Sequence, residues 1–164
     1  MKIALLTIGK APGHSDDGPL DKLHSLLGDE RAYRVDSGNI EDIIRCIATS
    51  KLYCGTSLHG AITALAYAVP QIALLPQRVI KLSSFLETWV PKSSSGYAEV
   101  GQVSQIGTNL IKSFGDSQRD ELRSVVEAMK ARVRTNLDHM VTLYDQAPAR
   151  GEKPHAKPEV VATH

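Results

Sequence analysis

The chain has 164 residues, of which 42% are apolar and 23% charged, so it can bury the core of one domain but is short for two substantial ones. Its net charge of +1 excludes strong bulk attraction to nucleic acid or to an anionic membrane. No apolar run approaches the roughly 18 residues of a membrane-spanning helix, and Gly9 and Lys10 end the first apolar run too early for a signal peptide, so we expect a cytoplasmic protein.

Strands and helices are predicted to alternate from the first residues onward. Ile3 to Ile8 is a short apolar run typical of a buried strand, and the Gly, Pro and Asp residues of 9–19 predict a loop. Leucines at helical spacing then predict a helix that Gly28 ends. Residues 31–35 predict a second strand, and Asn39 is a good N-cap for the helix that follows.

The same alternation continues through the middle of the chain. Residues 51–54 predict a third strand, after which Thr56 or Ser57 caps a helix that runs to about Ala68 and stops before Pro70. The later predicted elements are a strand at 71–75, a helix from Ile80 to about Val90, a weak strand at 97–100 and a helix at 103–114. Because parallel strands require crossover connections, this order predicts an α/β fold with a Rossmann-like parallel sheet and helices on both faces.

A long final helix is predicted over residues 117–144. Its apolar side chains recur about every 3.6 residues, at Leu122, Val126, Met129, Val133, Leu137, Met140 and Tyr144. This stripe needs a partner surface, which is either the chain's own sheet, a separately encoded protein or a second copy of the chain. The aperiodic, Pro-containing segment after it predicts a disordered tail. We therefore expect a domain at 1–115, the long helix at 116–144 and a tail at 145–164.

The two cysteines, Cys46 and Cys54, lack the paired spacing of a redox motif or a zinc knuckle, and we interpret them as reduced thiols. No group of His, Cys or acidic residues has convincing metal-ligand spacing. We therefore predict neither a metal nor a cofactor. The adjacent acids Asp16 and Asp17 are interpreted as solvent-facing loop residues.

The turn between the third strand and its helix predicts an anion-binding site. The first N–H groups of a helix have no acceptor within the helix and lie at its partially positive end, so phosphate or carboxylate can bind there. Thr56, Ser57, His59 and Gly60 all lie in or beside this first turn. The alternative interpretation is that His59 only hydrogen-bonds the backbone and that Ser57 is only an N-cap.

Ligands of open parallel sheets usually bind beyond the carboxyl ends of the strands. That rule brings polar side chains from distant parts of the chain to one edge of the predicted sheet. They are Lys10, His14, Asp36, Ser37, Thr56, Ser57, His59, Gln77, Arg78 and Lys81. Hydroxyls, an imidazole and cations all favour an anionic ligand, although Arg78 and Lys81 are equally well interpreted as solvated charges.

Roughly residues 1–114 of the chain resemble the C-terminal domain of polysaccharide pyruvyl transferases. The similar features are Ile40-Glu41-Asp42-Ile43-Ile44, a strand ending near Cys54, Ser57-Leu58-His59-Gly60, Ala64, Val69-Pro70 and Lys81. The resemblance implies the C-terminal half of a GT-B-type fold, in which two Rossmann-type domains face each other across a cleft. It also implies transfer of a pyruvyl group from phosphoenolpyruvate to a sugar of a glycan acceptor.

The resemblance also implies roles for single residues. His59 matches a catalytic or donor-binding histidine, and either Arg78 or Lys81 matches a basic residue that holds the donor's acidic groups. Two departures stand out: Ser57 occupies the position of the family's arginine, and no counterpart of the N-terminal domain is expected in this chain. We therefore expect the donor-binding half of an active site that a protein partner or a homodimer completes.

Two other function classes remain open from the sequence. The same fold and helix terminus suit a nucleotide-sugar-binding half of a GT-B glycosyltransferase, because a diphosphate would bind there equally well. The other class is a non-catalytic interaction module derived from this fold. Preference for phosphoenolpyruvate, preference for nucleotide-sugars, or binding of neither would distinguish the three.

Overall fold

A computed structural model of the chain describes residues 2–9, 15–35, 38–74 and 80–146. Within these ranges helices follow strands in regular alternation. The elements are β1 (Ile3–Leu6), α1 (Asp17–Leu27), β2 (Ala32–Val35), α2 (Ile40–Ala48), β3 (Tyr53–Gly55), α3 (Leu58–Ala66), β4 (Gln71–Leu74), α4 (Ile80–Trp89), β5 (Ser95–Ala98), α5 (Val103–Ser113) and α6 (Asp116–Gln146). The predicted α/β class, with parallel strands and a long final helix, is confirmed.

The strands form two parallel sheets instead of the one that alternation predicted. In the first sheet, β1 pairs with β2, and Ile3 lies opposite Ala32. In the second, β4 lies between β3 and β5, and Gln71 is in register with both Tyr53 and Ser95. The sheets share a core nonetheless, because Leu6 and Ile8 of the β1 segment pack against the cluster of Ile47, Ala64 and Val69, which Tyr53 also contacts.

The main apolar core lies between β4, α3, α4 and the first turns of α6. Leu65 of α3, Ala73 of β4 and Leu82 of α4 are almost completely buried in it. Leu122 of α6 is fully buried in the same cluster, and Met129 packs against it. By its contacts the chain divides into two compact units, Met1–Met129 and Lys130–His164. The residues of α6 up to Met129 thus complete the core of the first unit.

Several helix ends follow the predicted signals. Asn39 caps α2, and its side-chain oxygen accepts a hydrogen bond of 2.9 Å from the N–H of Asp42. Gly28 ends α1 with a φ of 74°, a left-handed value that glycine adopts without strain. In the described residues no helix is long and apolar enough to cross a membrane.

Other boundaries differ from the sequence predictions. Helix α1 begins at Asp17, inside the predicted loop 9–19, because Pro19 is in the first helical turn, where its missing N–H has no partner to lose. Strand β5 is Ser95–Ala98, two residues earlier than predicted, and a 3₁₀ turn occupies Val100–Gln102. Pairing with β4 selects this segment despite its weak apolar signal.

Candidate functional site

The turn from β3 to α3 has the cap that the sequence predicted. Ser57 is extended, and its hydroxyl accepts a hydrogen bond of 3.3 Å from the N–H of Gly60. The N–H of Ala61 donates to the Ser57 carbonyl at 3.0 Å. Among the described residues this leaves the N–H groups of Leu58 and His59 without an acceptor. Two adjacent donors therefore remain for a ligand at this helix end.

His59 lies at the second position of α3 and is exposed. Its carbonyl accepts a hydrogen bond of 2.9 Å from the Thr63 hydroxyl, while its ring makes no hydrogen bond to any described residue. Thr56, which precedes the cap, is exposed as well. An accessible imidazole and a hydroxyl thus flank the two available N–H groups, a combination that suits a small anion.

Gly60 holds the first turn of α3 close to β3. Its position is buried, and a Cβ there would overlap the Tyr53 hydroxyl and lie 2.9 Å from Cδ1 of Ile8. The Tyr53 hydroxyl donates to the Ser57 carbonyl at 3.3 Å, and burial raises the pKa of Tyr53 well above its usual value, so the ring remains a neutral donor. The sequence analysis assigned Gly60 to anion binding and missed this packing role. The signal for it was the bulky Tyr53 on the third strand, two positions before Gly55.

A second polar cluster lies where β1 and β2 end. The Thr7 hydroxyl donates to Asp17 at 2.6 Å, and Nη2 of Arg34 donates to the same carboxylate oxygen at 2.8 Å. Nε of Arg34 lies 3.0 Å from Asp21. Hydrogen bonds from Thr7 and Ser15, together with the Arg34 guanidinium, lower the pKa of the Asp17 carboxyl. The interpretation of Asp17 as a loop residue was therefore wrong, since it begins α1 and its carboxylate joins that helix to both strand ends.

The side chains of this cluster bind one another and hold α1 on the strands. Two carboxylates already engage the guanidinium of Arg34, so it is not a free cation for an anionic ligand. The sequence did contain a signal for this cluster, which our prediction did not use. Asp17 and Asp21 are four residues apart and therefore face the same way on α1, where they present two carboxylates to one arginine.

The remaining predicted residues lie elsewhere or outside the described ranges. Lys81 is exposed in the first turn of α4, and no described hydrogen bond or ion pair links it to the α3 turn. The other rim candidates, Lys10, His14, Asp36, Ser37, Gln77 and Arg78, lie outside the described residues. The structure therefore brings together Thr56, Ser57, His59 and Gly60, which share a single turn.

An open cavity of about 300 Å³ lies apart from this turn, between α5 and the segment before β5. Its lining residues are Lys92, Ser93, Ser95, Ile106, Asn109, Leu110 and Ser113. None of the predicted site residues is among them. The cavity is thus separate from the candidate anion site.

The surroundings of both cysteines favour the protonated thiol. Cys46 and Cys54 are both free. Restricted hydration of the sulfur raises the pKa of the Cys54 thiol, although the residue as a whole is exposed, and burial raises the pKa of the Cys46 thiol as well. Among the described residues, no three His, Cys, Asp or Glu side chains are grouped to hold a metal ion.

Comparison with known families tests the resemblance that the motif indicated. A family model for polysaccharide pyruvyl transferase matches residues 1–78 of the chain. This confirms the resemblance over the segment from β1 through β4, which includes the cap Ser57 and the exposed His59. The match ends well before residue 114, where the sequence resemblance was expected to end.

A solved structure titled "Crystal Structure Analysis of the Glycotransferase of kitacinnamycin" is also similar, with 13% sequence identity and a TM-score of 0.48. The similarity covers 85% of this chain and 43% of that chain. This chain therefore spans less than half of the length of that protein. A search of the curated proteins found no match.

Proposed function

We propose that this chain is the donor-binding half of a polysaccharide pyruvyl transferase, which transfers a pyruvyl group from phosphoenolpyruvate to a sugar of a glycan. The observation that carries the proposal is the family match over residues 1–78, because that segment includes the helix start at which His59 is exposed. A coarser role, polysaccharide modification by a transferase, is supported by the same match.

The proposed reaction requires a proton donor and two anion clamps. The methylene carbon of phosphoenolpyruvate gains a proton, two sugar hydroxyls form bonds to the neighbouring carbon, and the bond from that carbon to the phosphate oxygen breaks. One hydroxyl proton balances the proton given to carbon, and the other leaves with the phosphate. His59 suits the transfer of a proton at the donor, since an imidazole can both give and accept a proton.

The geometry of the cap suggests which groups hold the phosphate. Because the N–H of Gly60 is engaged by Ser57, the N–H groups of Leu58 and His59 are the donors that we assign to phosphate oxygens, with the Thr56 hydroxyl beside them. Ser57 and Gly60 contribute by fixing this turn. The helix dipole adds attraction for negative charge at the same end.

The carboxylate of the donor requires a cation from another element. Ser57 stands where the family resemblance places an arginine, so the turn itself supplies none. We assign this role to Arg78 or to Lys81, which is exposed at the start of α4. A planar guanidinium would hold the carboxylate with two hydrogen bonds, whereas an ammonium would act as a point charge.

The acceptor side of the site is proposed to come from a partner. Reacting groups must be held within about an ångström of productive geometry, and an open turn on one surface does not enclose two substrates. A partner chain or a second copy would supply the facing wall. This role of a partner follows the GT-B-type arrangement that the resemblance implies.

Calorimetric titration of the full chain with phosphoenolpyruvate and with a panel of nucleotide-sugars tests the proposal. We expect a preference for phosphoenolpyruvate. We also expect at least tenfold weaker binding in His59→Ala, equivalent to about 1.4 kcal/mol, with smaller loss in His59→Gln, which keeps a hydrogen-bonding group. Lys81→Ala should weaken binding, whereas its matched control Lys112→Ala, in the last turn of α5, should not.

Three results would contradict the proposal. Unchanged affinity in His59→Ala would remove the assigned site. A preference for nucleotide-sugars would favour the glycosyltransferase interpretation instead. Binding of neither ligand class by a folded chain would favour a non-catalytic interaction module.

A further inference from the structure

The second compact unit contains a helical segment with an exposed apolar surface. From Lys130 to Gln146, α6 has six large apolar side chains that are each more than half exposed. They are Val133, Leu137, Met140, Val141, Leu143 and Tyr144. Exposed apolar surface of this density marks an interaction site more often than a free surface.

Four of these residues form a continuous strip, which we call the α6 strip: Val133, Leu137, Met140 and Tyr144. At 3.6 residues per turn they fall within about 60° of one another around the helix axis. Val141 and Leu143 lie on either side of the strip. Such a strip has the form of a seam for a second helix.

The spacing of the α6 strip is the same in both directions along the helix. Its members are separated by four, three and four residues, so the pattern is symmetric about the point between Asp138 and His139. A second copy that runs antiparallel would therefore place Val133 opposite the partner's Tyr144, and Leu137 opposite the partner's Met140. The surface is thus self-complementary, as a twofold interface requires.

The charges around the strip favour the same orientation. Arg134 lies before the centre of the strip and Asp145 lies after it. Antiparallel pairing places Arg134 nearly level with the partner's Asp145, whereas parallel pairing places each charge level with its own copy in the partner. Arg134 and Asp145 also lie on the same flank of the helix, and pairing would leave them only about 3 Å apart along the axis.

From these observations we propose that the α6 strip binds the α6 strip of a second copy of this chain, antiparallel, to form a homodimer. The apolar contacts supply the attraction, and the ion pairs mainly select the orientation, since exposed ion pairs contribute little net affinity. This proposal does not depend on the proposed function, because it uses no residue of the anion site.

The mass of the full chain, measured by sedimentation over a range of concentrations, tests whether the dimer exists. We expect a reversible dimer whose dissociation constant rises at least a hundredfold in the double variant Leu137→Glu/Met140→Glu, with unchanged helix content. The matched control Thr142→Glu, on the opposite side of the helix, should remain dimeric. A monomeric wild-type chain, or a double variant that still forms dimers, would overturn the proposal.

Two further measurements test the orientation. Arg134→Glu and Asp145→Arg should each weaken the dimer severalfold, and their combination should restore it. Spin labels attached at position 139, with Cys46 and Cys54 replaced by serine, should be separated by only about 1.5 Å along the axis, while labels at position 131 should be separated by roughly 20 Å along the axis and therefore show a longer distance. Equal distances at both positions would indicate a parallel pair and overturn the antiparallel assignment.

Discussion

The helices that cover the two sheets are held by different interactions. Around β4, stability comes from apolar burial, since Leu65, Ala73 and Leu82 are almost inaccessible to water. In the sheet of β1 and β2, the covering helix α1 has no buried residue, and the Arg34 cluster ties it to the strands through charged hydrogen bonds. One alternating pattern has therefore produced helices that packing holds on one sheet and a helix that charge holds on the other, and these should respond to different perturbations.

The largest effect should follow from removing core volume beside β4. Leu65→Ala leaves a cavity at a 2% exposed position and should lower the free energy of unfolding by about 2–5 kcal/mol. Its matched control is Leu26→Ala on α1, which is 76% exposed and should change stability by less than about 0.5 kcal/mol. Urea denaturation measures both, and similar losses would contradict the contrast between the regions.

Adding volume in the same region should have the next largest effect. In Gly60→Ala the new methyl group meets the Tyr53 hydroxyl and Ile8, and we expect a loss of about 1–3 kcal/mol. Gly101→Ala is the control, because a Cβ there has no described neighbour within 4 Å. Adding Tyr53→Phe should restore part of the loss by removing the nearest atom. Equal stability of the two alanine variants would show that the α3 turn accommodates a side chain without strain.

Loss of the α3 cap tests a polar interaction within the packed region. Ser57→Ala removes the acceptor of the Gly60 N–H and should cost about 1 kcal/mol. Thr56→Ala, one residue earlier, changes an exposed side chain and should change stability by less than about 0.5 kcal/mol. Thermal unfolding measures the difference, and a cost as large for Thr56→Ala would mean that Ser57 is not the cap.

The smallest effect should come from the charged region, and it should depend on pH. Because folding lowers the pKa of Asp17, its carboxylate contributes stability that is present above the usual aspartate pKa of about 3.9 and is lost as the pH falls through the folded pKa. Asp17→Asn should therefore be less stable than wild type at neutral pH and no different at the acid end. Denaturation of wild type, of Asp17→Asn and of the control Glu30→Gln, at neutral pH and at a pH below the folded pKa of Asp17, tests this. A stability difference between Asp17→Asn and wild type that is the same at both pH values would contradict it.

Local signals were sufficient to predict much of the fold. Asn39 and Ser57 were identified as helix caps because side-chain oxygens at those positions satisfy N–H groups only a few residues away. Alternation predicted the parallel α/β class for a similar reason, since each crossover is a local unit. Strand β5 was displaced because Ser95 and Gly96 have little strand propensity of their own and pair through contact with β4.

Long-range features could not be obtained in this way. The bond between Arg34 and Thr7 joins residues that are 27 positions apart, and no local pattern specifies it. The division into two sheets likewise depends on long-range packing, because β1 and β3 contact a shared apolar cluster through their side chains and do not pair through their backbones. At the candidate site, the sequence located the turn but not which N–H groups stay available, because that depends on the rotamer of Ser57.

The central position of β4 has a consequence for hydrogen exchange. Its backbone is paired on both sides, and Gln71, Ile72 and Ala73 are all buried, so their amide protons should exchange only when the whole domain opens. The strands of the smaller sheet each have only one described neighbour, so their amides should exchange through local fluctuations. The exchange rates of β4 would then report the global stability of the first unit directly.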